Sequence, residues 1–322
     1  MTFVQRAVVH VTAADGVALD LHRSKNHDVH DDAPAIIMCH GFVQNALAFE
    51  SESRSLLAFL RGLGFVVYAI ELRGRSHTAA AHGLFEYVDV DAVAAIDAVA
   101  ALHRSVSFIG HSMGGLVATM LPAESSKKLA AVVTIGAPLF AGPASLRRIV
   151  SPDRAIAAAR FAHGRGLRFE GRRWSGALYA LRRVLDQPRV PMPLRIWAPG
   201  SLDERALAFT LKQSFSNDSW AVFADLLHLI VTDGEHAGSL AAGERIRRFD
   251  RPLLVVAGEH DDLAPPTGAR PLFHRAGTRD KEYLEVGAAH GVRAGHIDLL
   301  IGDAAPALVW QPIARFLATR GR

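Results

Sequence analysis

Several polar side chains stand where the chain leaves an apolar run. In "VSFIGHSMGGLVATM" Ser112 lies between a β-branched and aromatic run and a small apolar one, with Gly110 and Gly114 two positions to either side. A Gly-x-Ser-x-Gly turn between a buried strand and a helix forces the Ser into a strained backbone conformation, and the glycines give that turn room for close approach. The Ser112 hydroxyl then projects beyond the strand end as a nucleophile. The helix that follows points its first amides at the same spot, so the N–H of Met113 is placed to stabilise a developing oxyanion. A second donor is expected at the end of the strand before the first long helix. There "AIIMCHGFVQNALAF" offers the amide of Phe42 just after Gly41. His40 in that stretch reads as a residue that holds the loop by hydrogen bonds, and Cys39 as a small buried core residue.

A hydroxyl nucleophile needs a base, and the base needs an orienter. Beyond the last apolar run, "EYLEV", stand His290 in "GAAHGV" and His296 in "RAGHIDLLIG". Either fits a loop before the final helix, whose start is marked by Asp303 as a cap and Pro306 in the first turn. The loop after "PLLVVAG" offers Glu259, Asp261 and Asp262 as the acid. The Gly-x-x-Asp spacing carries the chain off the strand end and favours Asp261, with Pro265 and Pro266 pinning the next turn. The competing role for these acids is capping a helix near residue 264. This chemistry calls for no metal and no organic cofactor.

The elements that must position these groups are legible as alternation. "AVVHVTAADGVALDLHRS" reads as two strands around a turn at Asp15-Gly16, and "AIIMCH", "FVVYAIEL", "VSFIG", "AAVVTIG", "PLLVVAG" and "EYLEV" follow as buried strands with helix-length segments between most of them. That order predicts an α/β fold: a mostly parallel central sheet with helices on both faces, preceded by an antiparallel hairpin. From about Leu139 to Phe249 no convincing strand is found, and Arg, Ala, Leu and aromatics recur at helical spacing. The expected organisation is therefore a core over residues 1–138 and 250–322, interrupted by a helical cap at 139–249.

Taken together, "HGFVQN", "ELRGRS", "GHSMGG", "GEHDDLAPP" and "GHIDLL" resemble the α/β-hydrolase superfamily in order and spacing across nearly the whole chain. The resemblance implies the α/β-hydrolase fold and a triad of Ser112, Asp261 and His296, with His290 the alternative base. The Gly-His-x-Asp context and the Ala-Pro helix start are similar to the branch that holds acid lipases and polyhydroxyalkanoate-synthase-like hydrolases. A polymer synthase of that branch carries Cys where Ser112 stands, which disfavours a synthase. Glu71 and Ser76 replace the superfamily's usual Asp and second Gly. Local support also favours His296: Gly295 frees the turn, and "IDLLIG" can pack behind it.

With 322 residues and 50% hydrophobic content the chain can bury a large core. Its single cysteine excludes an intrachain disulfide, its first residues lack the pattern of a secretory leader, and no apolar run approaches the roughly 20 residues of a membrane span. A cytoplasmic protein without integral membrane association is expected. The net charge of +4 is mild, and no nucleic-acid-binding motif occurs. Residues 140–200 nonetheless hold twelve Arg, no Lys and three acids. These read as solvated helix faces or, more sharply, as a basic mouth for anionic acyl substrates. The expected activity is ester hydrolysis through an acyl-enzyme, with thioester hydrolysis or acyl transfer as alternatives on the same groups. The expected partner is a small acyl ester or thioester, with a homodimer left open. A non-catalytic receptor would be signalled by loss of a triad member, and all three are present.

Overall fold

The computed structural model describes residues 7–75, 82–139, 151–192 and 194–321. Strands β1 (Ala7–Thr12) and β2 (Ala18–Ser24) form an antiparallel hairpin that turns at Asp15-Gly16. β3 (Ala35–Cys39), β4 (Val66–Glu71), β5 (Val106–His111) and β6 (Leu129–Ile135) pair in parallel, with β2 antiparallel to β4. After a long helical interval, β9 (Leu253–Gly258) and β10 (Lys281–Val286) extend the sheet on the β6 side. The eight strands lie in the order β1-β2-β4-β3-β5-β6-β9-β10. Every residue of β3, β5 and β9 is buried, which is why these strands read as continuous apolar runs rather than as alternation.

Two cores flank the sheet, and the two-residue period of a strand divides its side chains between them. Ile37 and Cys39 face one core, where α2 (Ala92–Ala100) contributes Ala92, Ala95, Ile96 and Val99 and α3 (Met113–Thr119) contributes Leu116 and Val117. Ile36 and Met38 face the other, packed by Leu56, Leu57 and Leu60 of α1 (Leu56–Gly62) and by the C-terminal helix. Ser55 caps α1 by accepting the Ala58 N–H at 2.9 Å. The short helix α4 (Ala123–Ser126) leads into β6.

Between β6 and β9 run α5 (Pro152–Gly164), α6 (Gly171–Leu185), α7 (Glu204–Gln213), α8 (Trp220–Val231) and α9 (Ala242–Arg248). This interval also holds a strand pair that the sequence reading lacks, β7 (Arg168–Phe169) with β8 (Asp218–Ser219). Two residues are too few to show a period. Past β9 come α10 (Pro266–Arg275), α11 (Asp298–Ile301) and α12 (Gln311–Arg320). The final helix opens with a π turn at Pro306–Trp310 and has no side-chain cap. The expected cap, Asp303, instead receives the Arg54 guanidinium at 2.5 Å and the Asp203 N–H at 3.2 Å. Among the described residues no helix is long and apolar enough to cross a membrane.

Candidate active site

Ser112 links β5 to α3 with φ 54° and ψ −121°, a conformation seldom taken by a residue with a side chain. The tightness of the turn explains its glycines. A Cβ on Gly110 would meet the Gly114 carbonyl oxygen at 2.2 Å, and one on Gly114 would meet the Cys39 carbonyl oxygen at 2.2 Å. The Ser112 N–H is tied to the Ile135 carbonyl at 2.8 Å, which leaves the side chain at the strand end. Met113 is the first residue of α3, and an N–H there has no acceptor within its own helix.

The loop after β3 faces the same place. The Gly41 N–H goes to Gln44 Oε1 at 3.0 Å, that of Val43 to Asp218 Oδ2 at 3.1 Å, that of Gln44 to the Gly41 carbonyl at 3.2 Å, and that of Asn45 to the Ser214 carbonyl at 3.1 Å. The Phe42 N–H is left without a protein acceptor among the described residues. Val43 is β-branched yet has φ 53°, a strained state. It is held on both sides from the β8 region, since the Ser216 N–H also donates to the Val43 carbonyl at 2.8 Å.

Beneath this loop lies a buried charged cluster that sequence reasoning missed. Arg75 pairs with Asp218, their side chains being 1% and 0% exposed. Arg75 also donates to the Gln44 carbonyl at 3.1 Å, and Tyr87 Oη donates to Asp218 Oδ1 at 2.8 Å. The Arg75 charge holds the Asp218 carboxyl well below the ordinary carboxylate range despite its burial. His40 is fully buried, donates to the Gly41 carbonyl at 2.9 Å, and is pushed down to about 3 by burial, which fits a neutral loop-holding role. Cys39 lies in the core, where burial pushes its thiol up.

Asp261 and His296 meet across the loops that follow β9 and β10. His296 Nδ1 stands 2.7 Å from Asp261 Oδ2, with both side chains almost wholly buried. The other oxygen, Oδ1, accepts the N–H groups of Leu263 and Ala264 at 2.9 and 2.8 Å. One carboxylate thus secures its own turn and holds the imidazole, whereas the helix that follows, Pro266–Arg275, has no side-chain cap, so the expected capping role is not taken. The neighbouring acids point elsewhere: Asp262 accepts the Arg195 N–H at 2.8 Å, and Glu259 the Ala288 N–H at 2.5 Å. His290 ends an exposed one-turn 3-10 segment, Ala288–His290, and does not line the cavity described below.

Three further residues brace His296. The His111 ring packs 4.6 Å from that of His296 and donates from Nδ1 to Gln44 Oε1 at 2.8 Å. Burial, with the nearby His296 second, holds His111 well below the ordinary imidazole range, so it stays neutral. Asp298 Oδ2 accepts the N–H groups of Gly295 and Ala198 at 2.5 and 2.8 Å, and burial raises its carboxyl to about 7.

Ser112, Met113, Phe42 and His296 line one cavity of about 330 Å³. Its remaining walls are almost entirely apolar and include Phe169, Phe215, Phe223, Leu227 and Ile230 from the helical interval. From the same interval Trp174 also lines it, whereas Trp197 and Phe209 are buried outside it and Phe161 is exposed. None of the described arginines from residues 151–200 reaches the cavity. Arg154, Arg160, Arg172, Arg173 and Arg189 are exposed, and Arg195 is spent on the Leu185 and Val190 carbonyls. Arg147, Arg148 and Ser76 lie outside the described residues. No group of three or more His, Cys, Asp or Glu among the described residues could hold a metal ion.

A sequence profile described as alpha/beta hydrolase fold matches residues 34–292. Among solved structures, an enol-lactonase from Burkholderia xenovorans LB400 superposes with a TM-score of 0.64 at 17% identity, covering 96% of this chain and all of that one (100%). A monoacylglycerol lipase of Paleococcus ferrophilus gives 0.59 at 18%, with 93% and 99% covered. A structure from work on LipS and LipT, two metagenome-derived lipolytic enzymes, gives 0.56 at 19%, with 90% and 95% covered. At these identities the likeness is one of fold. No curated protein matches the sequence.

Proposed function

The chain belongs to the alpha/beta hydrolase fold family, and from that premise we propose that it is a serine hydrolase cleaving carboxylic esters with an apolar, uncharged acyl group. The observation that carries this reading is the strained Ser112 sharing a cavity with a His296 that is already hydrogen-bonded to Asp261. In this mechanism Ser112 Oγ attacks the acyl carbonyl while His296 Nε2 takes its proton. The carbonyl π pair moves to oxygen, where the Phe42 and Met113 amides bind it, and Asp261 supports the imidazolium. Collapse expels the alkoxide, which takes the proton from His296 and leaves Ser112 acylated. Water then gives a proton to His296 as it attacks, the acid departs, and the proton returns to Ser112 Oγ.

In the same reading residues 139–249 form a cap whose inner face shapes the acyl pocket. The apolar walls favour a neutral acyl chain over one that carries a second carboxylate. The alternatives on the same groups are a thioester in place of the ester, or an alcohol in place of water as acceptor.

A fluorophosphonate probe tests the proposal. It should label Ser112, and Ser112→Ala should abolish both labelling and turnover except for the weak rate left by binding and the oxyanion donors. Labelling at another residue, with turnover intact in the variant, would sink it.

A further inference from the structure

Helix α6 has two apolar sides. One, through Gly171, Ser175 and Leu178, is buried. The other, through Trp174, Ala177, Leu181 and Val184, follows the three- and four-residue spacing of a single helix face and is open to solvent. Leu181 and Val184 are 54% and 57% exposed, and Trp174 is 39% exposed while also lining the cavity beside Ser112. Just before α6, Phe161 and Leu167 are 69% and 58% exposed. Side chains of this size are rarely left in water in such a series without a partner.

Their surroundings are basic. Arg165 lies over the Phe161 ring, its guanidinium carbon 5.8 Å from the ring centre, and Arg172, Arg173 and Arg183 are exposed along α6. Glu170 stands 3.7 Å from Arg173, and Glu204 pairs with Arg182 and Arg183. Arg165, Arg172 and Arg189 carry no ion pair among the described residues.

We infer that this face docks on an anionic lipid surface, with Leu181 and Val184 entering the headgroup boundary and the arginines meeting the lipid charge. A helix with an apolar stripe flanked by arginines lies in such an interface without crossing it. Charge decides against a second copy of this chain, because a symmetric dimer through this face would oppose two basic surfaces. Continuity favours lipid: through Trp174 the outer stripe joins the apolar wall of the cavity, so an acyl chain leaving the surface would stay on apolar ground.

The test is co-sedimentation of the full chain with vesicles of phosphatidylcholine, with and without phosphatidylglycerol. Binding should require phosphatidylglycerol and weaken with salt. Leu181→Glu/Val184→Glu should lower the partition coefficient at least tenfold while leaving hydrolysis of a dissolved short-chain ester and the melting temperature unchanged. Arg165→Gln and Arg172→Gln should each lower binding about fivefold. Ser112→Ala should bind as wild type does, because docking does not depend on the proposed chemistry. Absence of vesicle binding, or equal binding by the double variant, overturns the inference. So does a dimer that the double variant dissociates while vesicles have no effect.

Discussion

Replacing Asp218 by Asn isolates the charge of the cluster under the Phe42 loop. The amide oxygen can still accept from the Val43 N–H, but Arg75 keeps a full charge with its side chain 1% exposed. Removing one partner of a buried pair costs about 3–5 kcal/mol, because the remaining ion is left uncompensated. An unfolding entropy of about 2.1 cal/mol/K per residue gives roughly 0.7 kcal/mol/K for 322 residues, so a loss of about 4 kcal/mol lowers Tm by about 6 °C. Activity should fall as well. Val43 holds φ 53° only because its neighbours impose it, and relaxation there would move the Phe42 amide. Misplacement on the 1 Å scale costs up to about 100-fold, here in kcat more than in KM. Arg75→Met should be similarly unstable, whereas Arg75→Met/Asp218→Asn, which removes both charges, should recover more than half of the lost stability. Thermal melts and steady-state kinetics with a p-nitrophenyl ester measure both effects. A Tm for Asp218→Asn within 1 °C of wild type, or a double variant that loses the sum of the singles, refutes the reasoning.

His296→Ala should lower kcat by several orders of magnitude, comparably to Ser112→Ala, while His290→Ala changes it modestly; a well-folded, active His296→Ala beside an inactive His290→Ala reverses the assignment. Across p-nitrophenyl esters of increasing length, kcat/KM should rise about fourfold per methylene until the cavity is filled, following about 0.8 kcal/mol for each buried CH₂; a flat series contradicts an acyl pocket. Asp298 has a folded-state pKa raised from 3.8 to about 7, so it holds a proton that the unfolded chain has released between those values. The stability this gives is complete below about pH 4 and lost as pH rises through about 7, at most on the order of 4 kcal/mol. Asp298→Asn should therefore gain Tm relative to wild type at pH 8 but not at pH 4, and an equal difference at both pH values would contradict this.

Seven strands of the main sheet are legible because each is either a short, mostly apolar run buried on both faces or an alternating hairpin arm; β10, expected to be buried, instead lies at the sheet edge with only Val286 buried. The turn at Ser112 is legible because its glycines sit at fixed offsets from it, Gly110 crowded by the Gly114 carbonyl four residues on and Gly114 by the Cys39 carbonyl at the end of the neighbouring strand. Asp261 and His296 are recognisable as loop residues after strands, and the structure brings them to 2.7 Å. Other features leave no local trace. Asp218 reaches Val43 across 175 residues, and nothing in the surrounding "SNDSW" distinguishes it from a solvated turn. Gln44 and Asp298 act through backbone amides, whose positions a sequence pattern does not encode. Asp303 has the composition of a cap, yet the pull of Arg54 redirects its carboxylate.

The strand order has a further consequence for how the site comes into being. Ser112 follows β5, Asp261 follows β9 and His296 follows β10, and 185 residues of chain separate His111 from His296, which it touches. No fragment that ends before β10 contains the proposed base, and closing so long a loop is entropically slow relative to local helix formation. Strand pairing at the β9–β10 edge is thus the event that completes the constellation. During refolding, recovery of turnover should lag the recovery of helical signal, which makes catalysis itself a clock for the docking of the last two strands.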